Sequence, residues 1–388
     1  MTERRLRHIV TTPVAAVLLV ALAGLPAWAE PHLAVREGFL CSQCHVNRAG
    51  GGKRNAFGAT YSQVALPAWR PGTEASRLGV VNPALGEYVS VGADVRVQHV
   101  TVQTVRTLYE GQWLEAVGGN TLRVPQANLY GELKLVRDHL SVYLDEKLGP
   151  EGASAREVML LVYGLPHGGY AKAGKIQLPF GLRLADDEAF IRQATGFTFG
   201  NQDLGVEVGA EPGPAFFAAS LSNGTLGGTD DNERKQLVAT AGVKARWGRV
   251  GASYSWNDGT TPAGLVVRQV GGVFAAANLG RLTLLSEVDL IADTERPKGG
   301  ERTEQFQLAV HGEADFLIVR GVAVRAAFGY HDPDLKVRED HRSRLALTLE
   351  VFPIPFLRVT ATWVVREDIP QRVQGRADFF LVQLHGFL

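Results

Sequence analysis

Hydrophobic residues alternate with polar ones at every second position in many short runs after about residue 86. In residues 88–98 the valines and the alanine share one parity, whereas serine, aspartate, arginine and glutamine share the other. Residues 236–247 and 305–316 repeat this pattern. Because successive side chains of a strand point to opposite faces, such runs predict strands with a different solvent on each face. Most of the chain is therefore expected to be all-β.

The connections between the predicted strands indicate which all-β fold to expect. The strands fall near residues 86–98, 122–136, 139–147, 157–165, 168–176, 204–211, 214–222, 236–247, 249–257, 265–279, 281–292, 303–318, 320–331, 342–352, 354–366 and 376–388. Short connections such as 137–138 alternate with long ones such as 99–121, 177–203 and 258–264. An even strand number with this alternation is typical of a bacterial outer-membrane barrel. We expect an antiparallel transmembrane β-barrel of about sixteen strands, with tight turns and both chain ends in the periplasm.

The last predicted strand supports closure of this barrel. Residues 377–388 are rich in aromatic and β-prone side chains and run to the end of the sequence. An open sheet edge in lipid would leave backbone groups without hydrogen bonds, so this strand should pair with the first one.

The N-terminus has the three-part layout of a bacterial secretory signal. Arg4, Arg5 and Arg7 precede an apolar run over residues 14–25, which ends at the small-residue site 27–29. The run is too short for a spanning helix, and no later run is long enough. We expect a signal peptide at 1–29, an N-terminal segment at 30–85 and the barrel at 86–388. Loss of the signal peptide changes the formal charge from 0 to −2, which gives no electrostatic basis for binding nucleic acid.

The only two cysteines lie in one motif, Cys41-Ser42-Gln43-Cys44-His45. C-x-x-C-H is the attachment signature of haem c, in which the two thiols form thioethers and the histidine ligates iron. A disulfide redox pair would not need the histidine. Half a zinc site would need further ligands, and no other cysteine is present. The motif therefore predicts one covalent haem c held by Cys41 and Cys44, with His45 as proximal ligand.

The distal ligand of the iron is left open by the sequence. His32 is the nearest local candidate, and Met159 is the single methionine of the expected mature chain. The other candidates are His99, His139, His167, His311, His331, His341 and His385. A five-coordinate or water-ligated site is a further alternative.

Two short polar stretches are candidate binding segments. The glycine-rich residues 50–52 would let backbone approach a flat macrocycle, and Lys53 or Arg54 could pair with haem propionates; a flexible turn with solvated charges is the alternative. Asp186, Asp187 and Glu188 fall on a predicted outer loop, where carboxylates could collect ferrous or other metal ions. The alternative, that they are solvated charges of the kind ordinarily found on outer loops, is favoured.

The order of these features resembles a known architecture. A signal peptide, a single C-x-x-C-H motif, a glycine-rich segment and a sixteen-strand-like barrel are similar to the fused monohaem cytochrome–porins of bacterial outer membranes, a group that includes iron-oxidising cytochromes. Only Cys41, Cys44 and His45 carry over as specific positions. Residues 175–182 also look like a strand-end segment of phosphate-selective-type porins.

The resemblance implies a small haem domain in or under the barrel lumen. Electrons would pass between an extracellular donor or acceptor, such as Fe(II) or another metal, and periplasmic c-type cytochromes. Whether the chain would itself act as a metal oxidoreductase is left open. Two other functions are considered, a diffusion porin with a structural or regulatory haem segment and a periplasmic haem enzyme or sensor.

Overall fold

The computed structural model describes most of the chain. The described residues are 31–69, 81–109, 112–116, 118–149, 152–184, 186, 188–225, 228, 230, 232–261, 264–368 and 378–388. The predicted signal peptide lies outside them. Among the described residues, no helix is both long enough and apolar enough to cross a membrane.

Eighteen strands and four short α-helices make up the described secondary structure. The strands are β1 (Val89–Val102), β2 (Val105–Tyr109), β3 (Gln112–Ala116), β4 (Gly119–Val136), β5 (Leu140–Gly149), β6 (Ser154–Leu165), β7 (Gly169–Gln177), β8 (Gln202–Ala210), β9 (Ala215–Ser222), β10 (Gln236–Ala245), β11 (Gly248–Thr261), β12 (Gly264–Leu279), β13 (Leu282–Pro297), β14 (Thr303–Val319), β15 (Val322–Asp332), β16 (Arg342–Val351), β17 (Leu357–Asp368) and β18 (Phe379–Phe387). The helices are α1 (Pro31–Glu37), α2 (Cys41–Cys44), α3 (Ala56–Val64) and α4 (Phe190–Thr195), and a 3₁₀ turn spans Pro166–Gly168.

All strands except β2 and β3 form one closed barrel of sixteen antiparallel strands. Each strand pairs with its neighbour in sequence, and β1 pairs with β4 on one side and with β18 on the other. The closing ladder runs from Asp94 opposite Phe387 to Val102 opposite Phe379. The predicted sixteen-stranded barrel, including closure by the last strand, is confirmed.

The barrel wall is apolar outside and largely polar inside. On β8, Leu204, Val206 and Val208 are more than half exposed on the outer face, whereas the intervening Glu207 is buried. On β14 the buried lumen set includes His311 and Asp315. An apolar exterior around a polar lumen is the arrangement of a lipid-embedded barrel.

Two predicted long connections contain more regular structure than expected. The hairpin of β2 and β3 lies within the predicted loop 99–121. The predicted loop 258–264 is wrong, because β11 reaches Thr261 and β12 starts at Gly264. The Asn, Asp, Gly and Pro residues of that stretch favour turns in isolation, but the continuing ladder supplies backbone hydrogen bonds that outweigh this preference.

The connection between β7 and β8 folds into the lumen, although the sequence predicts an outer loop there. Residues 178–201 of this inward loop include α4 and several buried apolar side chains. Leu182, Leu184 and Ile191 pack with Phe274 and Leu285 of the barrel wall. Burial of this apolar surface stabilises the inward position.

Residues 31–69, here called the plug, lie inside the lumen. Arg36 Nε donates to Thr283 Oγ1 of β13 at 3.1 Å, and Asn47 Nδ2 donates to Glu157 of β6, nearly opposite in the barrel. The Ala68 backbone N–H donates to the Phe352 carbonyl, in a tight turn, at 2.7 Å. The plug therefore crosses the lumen at the end that carries the tight turns. The predicted boundary at residue 85 stays a prediction.

Candidate functional site

The C-x-x-C-H motif lies in a compact hydrogen-bonded unit of the plug, residues 41–55, here called the knot. Cys41 and Cys44 are the first and last residues of α2, and the His45 N–H donates to the Cys41 carbonyl at 2.9 Å. A backbone bridge joins His45 to Arg54, so residues 45–54 double back as a short hairpin. Asn55 closes the knot, because its N–H donates to the Cys44 carbonyl and its side-chain amide donates to the Ser42 and Gln43 carbonyls.

The three glycines at the tip of this hairpin permit close packing. Gly50, Gly51 and Gly52 all have positive φ, between 63° and 92°. A Cβ atom on Gly50 would lie 3.0 Å from Cys41 Sγ, and one on Gly52 would lie 2.2 Å from the hydroxyl of Tyr143. The glycine run therefore lets the backbone pass close to the first cysteine and to the barrel wall.

The motif borders an internal cavity of about 250 Å³. Cys41, Cys44 and His45 all line it. Its aromatic lining comes from the inward loop, the barrel wall and the plug, and includes Phe180, Phe199, Phe216, Phe274, Phe352, Phe387 and Tyr61. Thiols, an imidazole and flat apolar walls meet around this one space.

Burial of the motif favours the uncharged forms of the His45 imidazole and the Cys44 thiol. Burial lowers the pKa of His45 to about 4, and the nearby positive charge of Arg54 acts in the same direction. Burial also raises the pKa of the Cys44 thiol to about 11. His45 is thus a neutral imidazole near pH 7, the form that can ligate a metal.

The charged lining of the cavity is strongly positive. Seven arginines and two carboxylates line it: Arg48, Arg54, Arg96, Arg156, Arg183, Arg249 and Arg358, with Asp94 and Glu211. Among the described residues, Arg54, Arg183 and Arg249 form no ion pair with a carboxylate. Arg183 donates to the Leu178 carbonyl, and Arg249 donates to the Phe39 carbonyl at 2.8 Å. These guanidinium groups suit an anionic ligand.

The inward loop supplies one wall of this cavity. Phe180 stacks on Phe197 with ring centroids 4.3 Å apart and ring planes 5° from parallel. The Leu182 N–H donates to Glu287 of β13 at 2.6 Å, which fixes the loop beside the cavity. These residues were not predicted from the sequence, although the apolar side chains of residues 178–191 were a usable signal.

Of the two predicted propionate contacts, only Arg54 lines the cavity. The Arg54 guanidinium carbon lies 4.3 Å from the centre of the Phe387 ring. Lys53 is buried elsewhere, where its Nζ donates to the Arg54 carbonyl and lies 3.7 Å from Glu132. Because Glu132 already neutralises this ammonium, Lys53 is not placed to hold a propionate.

Neither His32 nor Met159 borders the cavity, whereas His385 does. Met159 is buried within an apolar cluster of the barrel wall that includes Tyr143 and Leu161. His32 is buried with Glu313 and Asp315, and their ligand atoms lie close enough together for a metal ion. Arg325, however, lies among them, with Nη2 3.0 Å from His32 Nδ1 and Nε 2.7 Å from Asp315. A guanidinium therefore stands where a cation would be needed.

The described carboxylates of the predicted outer cation site form ion pairs with arginines of the barrel wall. Asp186 pairs with Arg344 of β16 at 2.5 Å, and Glu188 pairs with Arg366 of β17. Asp187 lies outside the described residues. Asp186 and Glu188 belong to the inward loop, so their pairing fixes this loop to the wall and leaves little carboxylate charge for an external metal ion.

Comparison with known proteins concerns the barrel. No protein-family model matches the sequence, and no curated protein matches it either. Among solved structures, it is similar to an anion-selective porin from Comamonas acidovorans (TM-score 0.60, 9% identity, 77% of this chain and 99% of that one). It is also similar to the channel DcaP of Acinetobacter baumannii (0.60, 10%, 77% and 97%) and to OmpT of Vibrio cholerae (0.59, 13%, 77% and 99%).

The barrel has a porin-like fold. With its closed sheet and apolar exterior, it belongs in the bacterial outer membrane, in contact with lipid. The alternative of a protein soluble in the periplasm is therefore wrong. At identities of 9–13% this likeness shows the fold alone.

Proposed function

We propose that this protein carries one covalent haem c in the lumen of an outer-membrane barrel and moves electrons across that membrane. One observation carries the proposal: the C-x-x-C-H motif lines an internal cavity that has aromatic walls and seven arginines against two carboxylates. A simple channel would need neither the paired thiols nor this aromatic space. The donor set therefore fits a haem.

Each part of the cavity has a defined task in this proposal. Cys41 and Cys44 would each add an S–H across one vinyl group, and His45 would ligate the iron from the proximal side. Arg54, Arg183 and Arg249, for which the described residues provide no carboxylate partner, would pair with the propionates. The bound haem would supply a centre that accepts and donates single electrons. The surrounding phenylalanines would exclude water from it.

A short aromatic route connects the cavity with the tight-turn end of the barrel. Tyr61 lines the cavity, and its ring stacks on Phe57 with centroids 5.9 Å apart. Phe57 is about half exposed on α3, whose last carbonyl, that of Val64, accepts from Arg320 in a tight turn. This arrangement suits exchange with a periplasmic c-type cytochrome. The extracellular partner is a metal ion such as Fe(II) or another redox-active reagent.

Whole cells provide the test of electron transfer. The haem of cells that produce this protein should be reduced or oxidised by a reagent too large to enter the lumen, and the response should be lost in a Cys41→Ser, Cys44→Ser double variant. If the reagent changes the haem spectrum only after the cells are lysed, the proposed route across the membrane is wrong.

The second candidate function is diffusion of small anions through the barrel. It is favoured by the porin-like fold and by the arginine-rich lumen. This alternative predicts stepwise, anion-selective conductance in planar bilayers and no dependence on the two cysteines. The electron-transfer proposal instead predicts low conductance, because the plug and the inward loop fill the lumen.

A further inference from the structure

We propose that His385, on the last strand, is the distal axial ligand of the haem, opposite His45. The inference rests on the proposed haem and goes beyond it, because it assigns the second face of the iron to a residue of the barrel wall. The electron carrier would then be fixed to the plug on one side and to the closing strand on the other.

The lining of the cavity leaves few alternatives to His385. His45 and His385 are the histidines among the described lining residues, and that lining includes neither methionine nor lysine. The tyrosines are engaged elsewhere: Tyr170 donates to Glu207 at 2.8 Å, and Tyr130 donates to Asp94 at 3.3 Å. Tyr61 also lines the cavity, but its ring packs against Phe39 and Phe57. A neutral imidazole is the stronger iron ligand near pH 7.

Asp94 orients His385 as a carboxylate typically orients a metal-bound histidine. His385 Nε2 and Asp94 Oδ1 are hydrogen-bonded across the ladder between β1 and β18. His385 is 6% exposed, and its Nδ1 atom has no hydrogen-bond partner within the part of the chain that the structure describes. A ligating histidine usually gives its second ring nitrogen to a carboxylate, which fixes the ring and raises the basicity of the ligating nitrogen. The free nitrogen therefore needs a partner, and the iron would provide it.

A series of contacts through Arg54 and Phe387 links the two histidines. Arg54, bridged through its backbone to His45, lies over the Phe387 ring. The Phe387 ring in turn packs edge-to-face on His385, with centroids 5.3 Å apart. The C-x-x-C-H motif of the plug and the end of β18 thus border the same cavity.

The spectrum of the purified holoprotein tests this assignment. The wild-type haem should be low-spin with two imidazole ligands by optical and electron paramagnetic resonance spectroscopy, and the ferrous form should bind carbon monoxide slowly. His385→Ala should convert it to a high-spin form that binds carbon monoxide rapidly, and added imidazole should restore the low-spin signal. His385→Met should stay low-spin with a higher reduction potential, which covers the case in which the alanine variant fails to fold.

His32→Ala is the matched control, because His32 is buried in the plug but does not line the cavity. It should leave the low-spin signal unchanged. A high-spin wild type, or a low-spin signal that is lost with His32 and kept in His385→Ala, would overturn the assignment and leave the haem proposal intact. A wild-type protein without haem would overturn both.

Discussion

Asn47, two residues after His45, donates to both carboxylate oxygens of Glu157 at 2.8 Å. Glu157 also accepts from the backbone N–H of Gln177, the last residue of β7 before the inward loop, at 2.8 Å. Lys172 extends this buried group, with its Nζ 3.2 Å from Asn47 Oδ1 and 2.9 Å from Glu207. One carboxylate of the barrel wall therefore holds both segments that border the cavity.

Replacement of Asn47 should loosen the plug. Asn47→Ala leaves the buried Glu157 without two hydrogen bonds, and losses of this kind cost about 1–3 kcal/mol. We expect a lower free energy of unfolding of the detergent-solubilised protein and faster proteolysis of residues 31–69. Asn82→Ala, at an exposed asparagine, should change stability by less than about 0.5 kcal/mol. Equal effects of the two substitutions would contradict this role.

Substitution of Gly52, at the tip of the plug hairpin, should destabilise the protein more than substitution of a positive-φ glycine that has no neighbouring atoms. In Gly52→Ala, the φ of +63° and the 2.2 Å approach to the Tyr143 hydroxyl both oppose a Cβ. Gly196→Ala is the control, since Gly196 has φ +84° and no atom within 4 Å of the added Cβ. The control should lose about 1–2 kcal/mol from backbone strain, and Gly52→Ala should lose about 1–3 kcal/mol more from overpacking. Matching melting temperatures would show that the tip is not tightly packed.

The arginines without carboxylate partners should tune the proposed haem. Arg183→Gln and Arg249→Gln each remove positive charge from the cavity, which disfavours the reduced, less positive iron. Each should therefore lower the reduction potential in a spectroelectrochemical titration. Arg137→Gln, at an exposed arginine paired with Glu87, should leave the potential unchanged. A potential that is insensitive to both cavity variants would mean that these residues lie away from the cofactor.

The pair of Asp186 and Arg344 should hold the inward loop in place. Asp186→Asn removes the ion pair, so we expect larger and noisier conductance in planar bilayers than for the wild type. Asp334→Asn, outside the inward loop, is the control and should have no effect. If both variants conduct like the wild type, the pair does not hold the loop.

The pH dependence of this ion pair has a definite sign. Burial alone would raise the pKa of Asp186, but Arg344 outweighs it and brings the pKa below its usual value. A carboxyl with a lowered folded-state pKa contributes stability that is present above its unfolded pKa, about 3.9, and is lost as pH falls through the lower value. Low wild-type conductance should therefore persist from neutral pH to about pH 4. An increase already near pH 6 would contradict this.

The barrel could be predicted from the sequence because its strands face two solvents. In β14, the apolar and polar residues predicted for opposite faces separate into outer and lumen sets, with His311, Glu313 and Asp315 buried. The predicted loop at 258–264 was wrong because residues that favour turns can continue a strand when hydrogen bonding to the neighbouring strand extends that far. The strand register and the closure of the barrel stabilise a strand there, and a local sequence pattern does not contain this information.

Of the candidate site, only the C-x-x-C-H motif could be predicted from the sequence. Cys41, Cys44 and His45 were identifiable from their spacing, and all three line the same cavity. The partners of the motif are distant in sequence, as with His385 and Arg249, and only barrel closure brings them together. The predicted haem itself stays a prediction.

The most direct test of the account is whether folded protein from the outer membrane carries covalent haem. The chain should be produced together with a cytochrome c maturation system, purified in detergent, extracted with acidified acetone and assayed for haem by the pyridine haemochrome method. We predict one haem per chain that resists extraction, and none in the Cys41→Ser, Cys44→Ser double variant. A wild-type barrel that is folded, embedded in the membrane and free of haem would contradict the account.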